Sequence, residues 1–231
     1  MTRVLWIMCT IQITSVMGKP PTREERRAQT RERLLDGARA VFARRGYHAA
    51  TVEEVAEEAG FTTGALYSNF KGKEDLFLAV IEAMIAREVR EYTEIFEGGE
   101  SFDERARGGA DHWMKLLGED PDYFTLFIEL WSAAIRDPGL RAKFAERSGA
   151  MRDATTRMIE AESAELGVDT SPEDAEMLAR VISALGNGLA MERLMFPGSV
   201  PDTLFGDILS VLFRALAESA EPAASLRKKA K

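Results

Sequence analysis

Hydrophobic residues recur every three or four positions along most of this chain, with polar residues between them. In the segment 51–60, Val52, Val55, Ala56 and Ala59 follow the i, i+3, i+4, i+7 spacing of one buried helical face. The period-two alternation that predicts strands and hairpins does not occur in the sequence. The pattern therefore predicts an all-α fold.

Capping residues and helix breakers divide this pattern into about nine predicted helices. Three of them precede Lys73. From there onward the predicted helices cover approximately 73–97, 101–117, 121–136, 138–166, 172–195 and 201–219. Clear signals mark several ends: Gly98 and Gly99 close one helix, and Ser171 followed by Pro172 opens another.

The segment 51–73 predicts two short helices joined by a glycine turn. Thr51 is placed to cap the first helix, with Glu54 completing a capping box, and Gly60 ends it. Thr62 is placed to cap the second helix, whose inner face carries Leu66. This is the layout of a helix-turn-helix that lays its second helix in the major groove of DNA. The same helices would also fit a small packing unit with a polar surface.

Residues 26–81 resemble the DNA-binding domain of the tetracycline-repressor (TetR) family of bacterial regulators. The resemblance rests on Phe42 and Gly46 in the first helix and on TVEEVAEEAG at 51–60. It continues in GALYSNF at 64–70 and in KEDL at 73–76. Asn69 departs from the family, which usually has histidine or tyrosine there.

The resemblance implies a set of DNA contacts. Phosphates would be touched by Thr51, Tyr67 and Lys73, and base edges would be faced by Thr63, Gly64 and Ser68. Ala65 and Asn69 would lie near the DNA backbone, and Thr62 belongs to the same DNA-binding set. Phosphate contacts position a protein, whereas base contacts select a sequence. Threonine and serine hydroxyls bond to several bases, so these residues do not specify an operator.

Charge is distributed unevenly around a net value of −8. Residues 19–75 hold 11 Lys/Arg and 10 Asp/Glu, while residues 76–226 hold 14 Lys/Arg and 28 Asp/Glu. The acidic excess therefore lies outside the predicted DNA-binding part. The basic residues at its start are Lys19, Arg23, Arg26, Arg27, Arg31 and Arg33. They form either an arm that follows phosphates or a solvated flexible end.

Sequence signals of catalysis are weak. The chain has one cysteine, Cys9, and two histidines, His48 and His112. It lacks the HExxH, P-loop, GxGxxG and nucleophile-elbow patterns. We therefore expect that the protein is not an enzyme and that it binds no cofactor.

The two ends are expected to lie outside the folded domains. Residues 1–18 have a charged start and an apolar run too short to span a bilayer. The favoured interpretation is that translation starts at Met17; an unstructured extension and an export signal are the alternatives. Residues 221–231 are expected to be a disordered basic tail. Between the ends we expect a DNA-binding domain at 19–72 and a helical domain at 73–220.

Bulky side chains on the middle helices are candidates for an apolar effector pocket, since aromatic and methionine-rich linings suit such pockets. The candidates are His112, Trp113, Phe127, Trp131, Met151 and Met158. For any one of them, ordinary core packing is the competing interpretation. Glu129, like His112, is a candidate for orienting a polar end of the ligand.

The last two helices carry more apolar surface than one partner helix can cover. Their candidate dimer-interface residues are Val181, Leu185, Leu189, Ile208 and Leu212. Intrachain core is the alternative. The resemblance implies dimerisation through these helices as a four-helix bundle.

The sequence thus predicts a cytoplasmic homodimer that binds a double-stranded DNA operator, responds to a small molecule and needs no membrane. A repressor is favoured over an activator on family grounds alone. The alternatives are an orphan regulator without a ligand and, more distantly, a helical enzyme or interaction protein.

Overall fold

The computed structural model describes residues 22–99 and 101–215, and throughout these ranges the regular secondary structure is helical. The helices are α1 (Arg23–Ala49), α2 (Val52–Glu58), α3 (Thr63–Tyr67), α4 (Lys73–Gly98), α5 (Phe102–Glu119), α6 (Pro121–Arg136), α7 (Pro138–Leu166) and α8 (Pro172–Met195). A ninth helix, α9, covers 204–215. The predicted all-α fold is confirmed. The expectations for residues 1–18 and 221–231 lie outside the described residues.

Most helix ends carry the signals that the sequence contains. Ser171 accepts a hydrogen bond from the backbone N–H of Asp174 at the start of α8, where Pro172 is the first helical residue. Gly167 ends α7 in the left-handed conformation. The basic segment, for which the sequence left an arm and a flexible end as alternatives, is helical from Arg23 onward, because Thr22 and Glu25 form a capping box. Lys19 lies outside the described residues.

One large core joins the DNA-binding part to the rest of the chain. Leu34 and Phe42 of α1, Leu66 of α3 and Phe77 of α4 are fully buried in it. The same cluster continues through Leu130 and its neighbours on α6. Burying these side chains removes them from water and fixes the short helices against α4. The buried cluster of α1–α3 therefore continues into α4 and α6.

A second cluster fills the space between α5, α8 and α9. Met114 and Leu117 of α5 pack there with Ala190 of α8 and Phe205 of α9. The long helix α7 packs against both α4 and α8. Among helices of the described ranges, none combines the length and apolar character needed to cross a bilayer.

Candidate DNA-binding surface and effector cavity

Helix α2 is held by the cap and the buried face that the sequence predicts. The Thr51 hydroxyl accepts a hydrogen bond from the Glu54 backbone N–H at 3.2 Å, and the Glu54 carboxylate accepts one from the Thr51 N–H at 3.1 Å. Val52, Val55 and Ala56 are buried. The reciprocal cap satisfies two backbone donors that a helix start leaves unpaired.

The turn between α2 and α3 depends on Gly60 and Arg33. Gly60 has a φ of 73°, which glycine adopts without the penalty that a side chain would bring. The Arg33 guanidinium donates to the Ala59 carbonyl at 3.0 Å and lies over the Phe61 ring. Arg33 therefore stabilises the turn itself.

Helix α3 presents one polar face to solvent. Thr62 caps it by accepting from the Ala65 N–H at 3.2 Å, while Leu66 is buried on the opposite side. Gly64 and Ser68 are exposed, Thr63 is half-buried, and the predicted phosphate contacts Thr51 and Tyr67 are exposed beside them. A Cβ on Gly64 would meet only the Thr62 Oγ1, at 3.8 Å. The face leaves room for close approach of another molecule.

Two side chains of this face bond to their own helix. The Ser68 hydroxyl donates to the Ala65 carbonyl at 2.7 Å, and the Asn69 amide donates to the same carbonyl at 2.9 Å. Tyr67 is 54% exposed, and within the described part of the chain its hydroxyl has no recorded partner. Tyr67 is thus the α3 side chain most free to bind an external acceptor.

Lys73, predicted to touch phosphate, bonds to α1 in this conformation. Its ammonium donates to the His48 carbonyl at 3.0 Å and to the Ala50 carbonyl at 3.2 Å. It also lies 4.9 Å from the centroid of the Tyr47 ring. An ammonium has three donors, so one remains for another acceptor.

Helix α6 contacts the DNA-binding part directly. The Glu129 carboxylate accepts a hydrogen bond from the Tyr47 backbone N–H, just after Gly46 interrupts α1 with a φ of 75°. The Tyr47 ring stacks on Phe77 of α4 at 4.7 Å between centroids. Glu129 therefore joins α6 to α1, and it does not line the cavity for which the sequence suggested it.

A cavity of about 730 Å³ lies among α4–α9. Five of the six predicted effector residues line it: Trp113, Phe127, Trp131, Met151 and Met158. Apolar cavities of several hundred cubic ångströms are typical of small-molecule sites.

His112, the sixth, does not line the cavity. Its Nε2 lies 2.8 Å from the Glu88 carboxylate, which is 1% exposed, and 3.5 Å from Glu91. A neighbouring position on a helix points about 100° away, so Trp113 faces the cavity while His112 faces α4. The imidazole serves to pair a buried carboxylate.

The polar side chains that line the cavity differ in their hydrogen-bond and ion-pair partners. Burial raises the pKa of Tyr92 and of Tyr123, with a further contribution from Glu88, so both phenols stay neutral. Glu162 is ion-paired with Arg105 at 2.6 Å. The half-buried side chains of Arg152 and Asn187 have no recorded hydrogen-bond or ion-pair partner within the described ranges.

The predicted interface residues fall on two faces. Val181 is 52% exposed, whereas Leu185 and Leu189 are half-buried against the cluster between α5, α8 and α9. Ile208 and Leu212 of α9 are half-buried. Met191 is exposed on α8 as well, and the sequence did not identify four further exposed apolar residues on or next to these helices, which are Met177, Met195, Phe196 and Val211. Their exposure depends on helix orientation, which no local signal sets.

Two family models match the chain. Residues 34–80 match "Bacterial regulatory proteins, tetR family", and residues 102–219 match "BetI-type transcriptional repressor, C-terminal". The first covers the helix-turn-helix, and the second covers half of the chain.

Similar proteins of known name are transcriptional regulators. The repressor AcnR of Corynebacterium efficiens is 28% identical over 162 residues, which span 69% of this chain and 79% of AcnR. The activator FasR of Mycolicibacterium smegmatis is 29% identical over 63% of this chain and 64% of FasR. The repressor Rv1474c of Mycobacterium tuberculosis is 32% identical over 59% of this chain and 68% of Rv1474c.

Solved structures show the same fold. FadR of Bacillus halodurans, a fatty acid degradation regulator, has a TM-score of 0.66 at 20% identity, covering 85% of this chain and 96% of its own. FadR of Bacillus subtilis in complex with stearoyl-CoA has a TM-score of 0.65 at 19% identity, covering 77% and 94%. With its capped helix-turn-helix, its helical C-terminal half and these matches, the chain belongs to the TetR family of transcriptional regulators rather than to an enzyme family.

Proposed function

We propose that this protein is a homodimeric regulator that binds a palindromic operator and releases it when a small molecule enters the cavity. The observation that carries the proposal is that one helix, α4, runs from the DNA-binding surface to the cavity. Helix α4 begins at Lys73 beside the DNA-binding surface and lines the cavity with Ile85, Tyr92 and Phe96. Such a regulator acts in the cytoplasm, where bacterial DNA lies.

Operator binding is attributed to the face of α3. Thr63, Gly64 and Ser68 would meet base edges, while Thr51 and Tyr67, exposed beside them, would meet phosphates. Thr62, Ala65 and Asn69 also belong to the proposed DNA-binding set. Thr62 caps α3, and the Asn69 amide donates a hydrogen bond to the Ala65 carbonyl. A dimer presents two such helices, which fit half-sites about 34–36 Å apart.

Dimerisation is attributed to the outer faces of α8 and α9. Val181, Met191 and Met195 of α8 and Val211 of α9 are each about half exposed or more. Monomeric proteins rarely expose contiguous apolar patches of this kind. A second copy of the chain would cover them by the same patch, as two-fold symmetry requires.

The effector is proposed to have an apolar body and an anionic end. The aromatic and methionine side chains of the cavity suit the body, and Arg152 has no acidic partner among the described residues. A half-buried guanidinium without a partner favours an anion, which it binds by charge-assisted hydrogen bonds. The stearoyl-CoA bound by the Bacillus subtilis neighbour is an apolar chain with an anionic end group.

The path of coupling is proposed to run through α6. Phe127 and Trp131 line the cavity, and Glu129 between them binds the Tyr47 N–H at the end of α1. A ligand that shifts α6 would therefore move the contact that holds the DNA-binding part. Repression is favoured because two of the three relatives named are repressors, although FasR is an activator.

A matched series of ligands tests the effector class. We expect decanoate to bind more tightly than decanol or decylamine, because only the acid places an anion at Arg152. Arg152→Gln should remove this preference, while the exposed Arg157→Gln on the same helix should keep it. Equal binding of all three ligands would contradict the anionic end. If no apolar ligand binds, the orphan-regulator alternative gains support.

A further inference from the structure

The cavity is open along one helix. Its lining residues on α4, α5, α6, α7 and α9 are all buried or half-buried. The exposed lining residues all lie on α8, and they are Arg180, Ala184, Gly188 and Met191. The opening of the cavity therefore runs along the outer face of α8.

The same face of α8 carries an apolar stripe. Its members, at alternating steps of four and three residues, are Met177, Val181, Ala184, Gly188, Met191 and Met195. The four large side chains of the stripe are between 46% and 67% exposed. Alternating steps of four and three are the spacing at which one helix packs along another. Ala184, Gly188 and Met191 belong to both the stripe and the cavity opening.

The centre of the stripe allows close approach. A Cβ placed on Gly188 would meet no atom within 4 Å, and Ala184 beside it is small and exposed. Small residues at a crossing point let two helix backbones come near each other. The occupant that fits is a second copy of the chain, since it offers the same stripe and a two-fold axis pairs the stripe with itself.

We propose that the cavity is a shared site: α8 of a second copy covers its opening, so the cavity is complete only in the dimer. The proposal rests on the dimer of the proposed function and adds that the partner forms one wall of the effector site. Ligand affinity should then depend on dimerisation, and the ligand should tighten the dimer by the same factor.

Thiol accessibility tests the closure without any ligand. In a Cys9→Ser background, Ser183→Cys places a thiol in the cavity lining, and Ser132→Cys places one on the exposed face of α6. Labelling by Ellman's reagent is followed as the protein concentration rises through the dimerisation range. The rate at position 183 should fall several-fold as the dimer forms, while the rate at position 132 should stay constant.

The second part of the test uses a substitution on the apolar stripe that leaves the residues lining the cavity unchanged. Val181 is on the stripe but does not line the cavity, so Val181→Glu should give a folded monomer with every lining residue intact. When Val181→Glu is combined with Ser183→Cys, the thiol should be labelled fast at all protein concentrations. The affinity of the Val181→Glu protein for the probe 8-anilinonaphthalene-1-sulfonate should fall several-fold. Ile135→Glu, which replaces an apolar residue that is 74% exposed on α6, is the matched control and should change neither.

The outcomes separate the two levels of the proposal. A parent protein that is monomeric at every concentration would overturn the proposed dimer itself. A dimeric parent whose thiol at position 183 is labelled as fast as in the Val181→Glu protein would overturn only the closure. A Val181→Glu protein that stays dimeric with a protected thiol would show that the stripe is not the seam. If the probe does not bind the parent, the labelling rates alone decide.

Discussion

The carboxylate of Glu129 on α6 accepts a hydrogen bond from the backbone N–H of Tyr47 at the end of α1. The contact is tight, because a Cβ on Gly46 would lie 2.6 Å from the same carboxylate. The hydrogen bond links α6, which lines the cavity, to α1, the first helix of the DNA-binding part.

Glu129→Ala should weaken this link while leaving the cavity intact. The Tyr47 N–H would lose its acceptor, a loss that costs about 1–3 kcal/mol for a buried group. We expect lower thermal stability and a smaller effect of ligand on operator affinity. Glu129→Gln keeps an acceptor oxygen and should restore most of both. Asp122→Asn, at an exposed carboxylate of α6, is the control, and equal behaviour of all three variants would contradict the role of Glu129.

Tyr67 and Thr63 should differ in what they control. Tyr67→Phe removes a hydroxyl without a recorded partner in the described part of the chain, so stability should not change. Operator affinity should fall about fivefold per lost phosphate bond for every sequence tested. Thr63→Ala should instead change the preference among operator variants. Fluorescence anisotropy with a set of operators measures both, and unchanged affinity of Tyr67→Phe would contradict the assignment.

Lys73→Ala should affect both stability and DNA binding. Its ammonium holds the His48 and Ala50 carbonyls, so we expect a loss of about 1–2 kcal/mol in unfolding free energy. A phosphate contact through the remaining donor would lower the salt slope of operator binding by about one unit. Denaturant titration and binding at several salt concentrations separate these effects. A loss of stability with an unchanged salt slope of operator binding would show that Lys73 has a structural role only.

The sequence predicted helix ends well because local chemistry determines them. Thr51 with Glu54, and Ser171 with Pro172, form the caps that their identities suggest. The Thr22 and Glu25 box at the start of α1 carries the same signal, and it predicts a helix where the arm and the flexible end were the two alternatives.

Which way each helix faces was less predictable. Trp113 and His112 are neighbours in the sequence, yet one lines the cavity and the other pairs with Glu88. Leu189 and Val181 were both candidates for one seam, with intrachain core as the alternative; in the subunit Leu189 is half-buried against a hydrophobic cluster, whereas Val181 is exposed. Tertiary packing sets the rotation of each helix, and no nearby residue encodes it.

The two faces of α8 and α9 should therefore respond differently to charge. Val211→Glu changes a residue that is 66% exposed on α9, and it should reduce dimerisation and operator binding while the subunit stays folded. Leu189→Glu would place a charge against a hydrophobic cluster and should cost several kcal/mol of unfolding free energy. Light scattering and thermal melting distinguish dissociation from unfolding. A dimeric Val211→Glu protein with normal operator affinity would place the seam elsewhere.

The central claim is that the cavity and the operator surface are coupled. A ligand found by thermal-shift screening is titrated into the dimer with and without saturating operator DNA, and its dissociation constant is compared. We expect ligand affinity to be lower on DNA by a coupling free energy of about 1–3 kcal/mol, because linkage is reciprocal. Trp131→Ala, which removes a cavity wall, should weaken ligand binding in both titrations. Equal ligand affinity with and without operator would contradict allosteric release.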